Sequence, residues 1–215
     1  LLNPKLTIGI TNYWNLTLGT TLGQRSMGWE SGFNSIHHRD ESTSTDFNNS
    51  IGGYLGDSKF IANYLVFNDG QGIGKRFYLG GGLVIPSKNT LTSDPFFLSG
   101  EEKEQHRHFS LSEGVYKSIF EIQYFLKKNT NPVFIGGVFT LTNPLMENKY
   151  GFKSGTVYDV ALTGITKEIV RLKGALGGSI NIQKNTGSFW NGKLAPNSKS
   201  TILVFGISSV WSIKH

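Results

Sequence analysis

Apolar side chains alternate with Gly, Ser, Thr, Asn or a charge at a spacing of two along most of this chain, the period of an extended strand. Trp14, Leu16, Leu18 and Leu22 share one face, with Asn15, Thr17, Gly19, Thr21, Gly23 and Arg25 on the other. Phe77, Leu79, Leu83 and Ile85 alternate with Tyr78, Gly80, Gly82 and Val84. Val133, Ile135, Phe139 and Leu141 alternate with Gly136, Val138, Thr140 and Thr142. Finally, Leu172, Leu176, Ile180 and Ile182 stand against Lys173, Ala175, Gly177, Ser179, Asn181 and Gln183. One face is oily and the other small and wet.

The pattern predicts strands over Lys5–Ile10, Tyr13–Ser26, Ser58–Phe67, Lys75–Ser87, Val115–Leu126, Pro132–Asn143, Thr156–Ile165, Val170–Lys184 and Ser200–Ile213, with another within Asp46–Leu55. Short connections (Thr11-Asn12, Asn68 to Gly74, Lys127 to Asn131, Thr166 to Glu168) take turns with long polar ones (Gly28 to Asp57, Lys88 to Gly114, Pro144 to Gly155, Asn185 to Lys199). Consecutive hairpins with every second loop long describe an up-and-down meander, the plan of an antiparallel transmembrane β-barrel with short turns at one rim and long loops at the other.

A soluble sandwich produces the same alternation, so period alone leaves both architectures open. Three details favour the barrel. The segments run about 9 to 14 residues, beyond the usual ~5–6 of globular sheets and near what a tilted bilayer crossing needs. The polar face is rich in Gly and hydroxyls, which suits a narrow barrel's interior. Aromatics at Tyr13-Trp14, Phe77-Tyr78, Phe134, Tyr158 and Trp211 stand where an interfacial girdle would lie. The expected fold is all-β, one barrel over 1–215 of about ten strands, with eight or twelve allowed. Its lumen is narrow, filled by side chains or left as a thin polar path.

Composition narrows the chemistry. With no cysteine among 215 residues there is no disulfide framework and no thiolate metal site. Glycine numbers 27, well above the average of ~7%, yet it recurs inside apolar segments instead of forming a linker. The net charge of +6 is spread along the chain, so nucleic acid is not an expected partner. No window approaches the ~18 apolar residues of a membrane helix, and no signal-peptide pattern opens the sequence.

Several short motifs carry a resemblance. Gly9-Ile10-Thr11-Asn12-Tyr13-Trp14-Asn15-Leu16, then Gly53-Tyr54-Leu55-Gly56-Asp57, then Gly80-Gly81-Gly82-Leu83-Val84-Ile85-Pro86 resemble the transporter-type outer-membrane barrels of the phenol-degradation meta-pathway group. His106-Arg107-His108-Phe109 ahead of Ser112-Glu113-Gly114-Val115-Tyr116, and Glu147-Asn148-Lys149-Tyr150-Gly151-Phe152 ahead of Gly155, are similar to the same group. The likeness covers roughly residues 5–165. It implies a bacterial outer-membrane location and passive transport of small, hydrophobic compounds, with no catalytic residues. Two departures stand out: Tyr54-Leu55 replace a tighter glycine turn, and the sequence ends Ile213-Lys214-His215 without the group's terminal aromatic. The second leaves open that strands are trimmed at one or both ends.

If the oily face meets lipid, Arg25, Lys117, Glu121, Gln123, Asp159, Lys173, Asn181 and Gln183 line the lumen, because a charge on the lipid side would cost ~2–4 kcal/mol at mid-depth. They either pair into an internal network or set selectivity. His37, His38, His106 and His108 fall in two long loops at the same rim, where imidazoles and nearby carboxylates form a candidate divalent-metal set; the plainer expectation is a solvated loop and no cofactor. Gly70-Gln71-Gly72-Ile73-Gly74-Lys75 looks like a phosphate loop but precedes a strand instead of a helix, so a hairpin turn is expected. Ser110, His108 and Glu113 can be written as a hydrolase set, though nothing local distinguishes Ser110. The expected function is non-enzymatic: a passive channel for small molecules, in contact with the bilayer and lipopolysaccharide. The alternative is a closed barrel whose long loops bind a protein partner.

Overall fold

The computed structural model describes residues 1–29, 45–47, 52–96 and 109–211. Fourteen strands follow in chain order: β1 (Lys5–Gly9), β2 (Trp14–Leu22), β3 (Met27–Trp29), β4 (Thr45–Phe47), β5 (Leu55–Asn68), β6 (Gly74–Ile85), β7 (Lys117–Lys127), β8 (Phe134–Pro144), β9 (Phe152–Lys153), β10 (Val157–Ile165), β11 (Gly174–Asn185), β12 (Phe189–Trp190), β13 (Lys193–Leu194) and β14 (Ser200–Trp211). Nine of them form one antiparallel sheet in the order β1-β2-β5-β6-β7-β8-β10-β11-β14. Two small sheets, β13-β12-β9 and β3-β4, accompany it. The all-β meander expected from the sequence is therefore present. No helix among the described residues is long and apolar enough to cross a membrane.

Register fixes which side each residue takes. Thr17 pairs with Ile61, Ile61 with Gly82, Gly82 with Ile119, Ile119 with Thr142 and Thr142 with Val157, so these residues share one face. The sheet curls so that this face lines a cavity reached by residues of β1, β2, β5, β6, β7, β8, β10 and β11. Glycine permits the tight fit on this side. A Cβ at Gly82 would stand 2.1 Å from the Phe60 carbonyl oxygen and one at Gly80 2.0 Å from Asn63 Oδ1, spacings no real side chain tolerates.

The opposite face carries Leu83, Phe120, Leu162 and Ile180, all exposed, and on β14 Phe205 and Ile207 at 70% and 93% exposure. Conversely, Asn63, Lys117 and Glu121 are only 1%, 9% and 8% exposed. This inverts the usual globular distribution, in which Lys and Glu stay in water and Leu and Ile go inside. The described core is correspondingly small: Ile61, Val84 and Ile119 form one buried cluster.

Strand ends depart from the alternation at specific places. β5 starts at Leu55, three residues before the expected Ser58, and a register shift between Leu65 and Phe67 lets it run for 14 residues. β2 ends at Leu22, not Ser26, after a shift between Thr20 and Leu22. Of the segment Asp46–Leu55, where a further strand is expected, residues 48–51 lie outside the described residues; Asp46 and Phe47 belong to the three-residue β4, paired with β3 outside the main sheet, and Leu55 opens β5. The glycine-rich segment before β6 is the hairpin turn expected, with Gly70, Gly72 and Gly74 at φ values of 106°, 89° and 125°, and Arg76 donates to the carbonyls of Gly70 and Gly72.

The short and long connections alternate between two ends, as expected. At the turn end, Tyr13 and Trp14 lie 6.1 and 4.9 Å from the Tyr64 ring on the outer face, and the Trp211 indole donates to the Leu172 carbonyl at 3.1 Å. Two aromatics expected in this outer band point the other way. Tyr78 and Phe134 fall on the inner face by register and pack on Phe125, with ring centroids 6.1 and 5.9 Å apart.

Candidate functional site

The inner face lines a cavity of about 840 Å³ in the half of the molecule nearer the long loops. Of the predicted lumen residues, Lys117, Glu121, Asp159 and Gln183 line it. Strand register puts Glu121 beside Thr140, Thr140 beside Asp159 and Asp159 beside Gln183, one row across four strands. Gln123 and Asn181 lie one inward position deeper and support that row. Gln123 Nε2 donates to Glu121 Oε1 at 2.5 Å, and Asn181 Nδ2 to both Asp159 oxygens at 3.0 and 3.1 Å. Thr140 Oγ1 donates to Glu121 Oε2 at 3.2 Å. Lys117 is held by Glu113 across a 2.5 Å ion pair.

Arg25 and Lys173 do not join them. Arg25 follows the end of β2 and is exposed. Lys173 occupies the turn closed by Ile169 and Gly174, at φ 50° and exposed, because the hairpin reverses at 170–173 where the sequence pattern continued a strand. Neither contributes to the cavity's lining.

The cavity has a roof and a floor that periodicity did not announce. Leu91, Trp190 and Ala195 form a buried cluster against which Phe96, Tyr150 and Phe152 pack, and the Phe152 and Trp190 rings lie 5.0 Å apart. β9, β12 and β13 build this cap from segments expected to be plain loops. Asn89, wholly buried, ties the chain at Gly53 to the segment 111–112. Its amide nitrogen donates to the Gly53 carbonyl, its Oδ1 accepts from Leu111 N at 2.9 Å, and its carbonyl accepts from Ser112 N at 2.9 Å. A single Asn in a polar stretch gives no sequence signal of such a role. On the other side, the lining stops at the Glu121 row. Below it, Tyr78, Phe125 and Phe134 cluster on the inner face, and Gly136 makes room for them: a Cβ there would stand 3.0 and 3.1 Å from the Phe134 and Phe125 rings.

Of the other candidates, Ser110 lines the cavity, but Glu113 is committed to Lys117 and His108 lies outside the described residues. His37, His38 and His106 lie outside them too. Among the described residues no group of His, Cys, Asp or Glu could hold a metal ion.

What fold and site define together is an all-β chain whose nine-stranded antiparallel sheet keeps charge and a cavity on one side and exposed apolar side chains on the other. No protein-family model matches the chain, and no curated protein matches it.

Proposed function

We propose that this chain is a bacterial outer-membrane β-barrel that acts as a passive conduit for small molecules. One observation carries the reading: the large apolar side chains stand exposed on the outer face while Lys117, Glu121 and Asp159 surround an internal cavity. In water such an apolar surface is a liability, since soluble monomers rarely expose contiguous apolar patches beyond a few hundred Å². In hydrocarbon it is the required surface, because lipid penalises charge and unpaired backbone groups and not Leu or Phe. The motif resemblance over residues 5–165 points the same way.

Strand direction supports the expected count of ten. β1 and β14, at the two ends of the sheet, both run from the long-loop end to the turn end, and no hydrogen-bonded pairing joins them among the described strands. Antiparallel closure therefore takes one further strand between them, giving an even number as in single-chain outer-membrane barrels.

A closed barrel whose loops engage a partner is the second reading, and the aromatic cluster of Tyr78, Phe125 and Phe134 below the Glu121 row favours it. Single-channel recording in planar bilayers separates the two. A conduit gives discrete steps whose cation preference falls in Glu121→Lys; a protein that is inserted but silent contradicts the conduit and leaves the closed barrel.

A further inference from the structure

The charges on the cavity wall are arranged in layers. Lys5, Gly19, Lys59, Val84 and Lys117 are successive register partners, so three lysines stand on one row near the long loops. Four residues deeper along β7, Glu121 and Asp159 share the row described above. That offset corresponds to about 14 Å of strand at ~3.4 Å per residue, and the side chains can lean into it. Between the two rows, Ile61, Ile119 and Val157 present apolar surface. From mouth to floor the wall passes from the lysine row, with Asp57 and Glu113 beside it, through Ile61, Ile119 and Val157 flanked by Thr17 and Thr142, to the carboxylates of Glu121 and Asp159.

Not all these charges are neutralised within the protein. Lys117 belongs to Glu113, and Asp57, beside Ser112, feels both of them. Among the described residues Lys5 and Lys59, in contrast, form no ion pair, and Glu121 and Asp159 accept hydrogen bonds only from the neutral Gln123, Thr140 and Asn181. A carboxylate as buried as Glu121 is costly without a countercharge. Asn63 adds an unmet acceptor nearby: its Oδ1 is buried without a partner, over Gly80 in the register row of Glu121.

We infer that the cavity binds a small zwitterion of the ω-amino acid type, with its ammonium group on Glu121 and Asp159, its methylenes against Ile61 and Ile119, and its carboxylate on Lys59 and Lys5. This deepens the conduit reading by naming the class of solute, and it rests on that reading only for the solute's onward passage.

Calorimetric titration of the full chain in detergent tests the site without any transport step, using 6-aminohexanoate against hexylamine and hexanoate, which each carry one of its charges. The zwitterion binds at least tenfold more tightly than either. Glu121→Gln weakens 6-aminohexanoate and hexylamine by about ten- to a hundredfold, the range for one lost charge-assisted hydrogen bond, and leaves hexanoate unchanged. Lys59→Gln weakens 6-aminohexanoate and hexanoate and leaves hexylamine unchanged. Heat-modifiable gel migration confirms that both variants are folded. Equal binding of all three compounds, no binding of the zwitterion, or an unchanged isotherm in folded Glu121→Gln overturns the site. Binding together with a silent bilayer sinks the conduit and leaves the site, whereas conduction without binding does the opposite.

Discussion

The two faces of the main sheet are built from adjacent residues of the same strands, yet they obey opposite rules. On β10, Asp159 accepts two hydrogen bonds from Asn181 inside the molecule, while Leu162, three residues on, is 54% exposed. On β7, Glu121 is buried and its neighbour Phe120 exposed. In a protein dissolved in water, burial concentrates apolar surface; here the inner face of the sheet buries Asn63, Lys117 and Glu121 beside one small apolar cluster of Ile61, Val84 and Ile119, and the cap over the cavity holds a second. The difference locates the apolar contacts the protein makes with itself, and it marks the surface that the proposed outer-membrane reading sets against lipid.

The largest effect that separates the regions is expected in the cap. Trp190→Ala removes a ring packed against Phe152 and Leu91 and should cost about 3–5 kcal/mol locally, read as faster hydrogen exchange at 150–153 and 188–195 with the main-sheet amides unchanged. Leu162→Ala, a smaller truncation made on the outer face, should leave exchange as it was in both places. Next comes Leu162→Arg: in a bilayer it should lower folding stability by about 2–4 kcal/mol in reversible denaturant titration, a penalty absent if that face is bathed in water. The smallest is on the inner face. Thr7 and Thr17 share a hydroxyl hydrogen bond of 3.1 Å between β1 and β2, and Thr17→Val should cost about 0.5–1.5 kcal/mol in the same titration. A cost below that range would mean the inner face is solvated well enough to replace the bond.

The faces were legible in the sequence because a period of two records them directly. Leu16 and Leu18 against Thr17 and Gly19, or Phe139 and Leu141 against Thr140 and Thr142, needed no tertiary information. The same parity puts Lys117, Glu121, Asp159 and Gln183 on one face, where they line the cavity. Strand ends were less legible, since they depend on register shifts such as Leu65/Phe67 and on a residue like Lys173 accepting a left-handed turn conformation. Alternation continues through such a turn without marking it. The roof was invisible for another reason: two-residue strands such as β12 and β13 have no period, and Asn89 acts through contacts with segments 22 to 36 residues away. Tyr78 and Phe134 show the converse error. Their positions near strand ends suggested an outer girdle, but the parity of the strand sends them inward onto Phe125.

The proposal that lipid covers the outer face is tested most directly by a spin label at Leu162→Cys, in a chain that has no cysteine of its own, after reconstitution into liposomes. Collisional relaxation should show the label open to oxygen and shielded from a water-soluble nickel chelate, with the opposite ranking for a label at Lys59→Cys in the cavity. A label at Leu162→Cys that the nickel chelate reaches as freely as it reaches a loop would contradict the account.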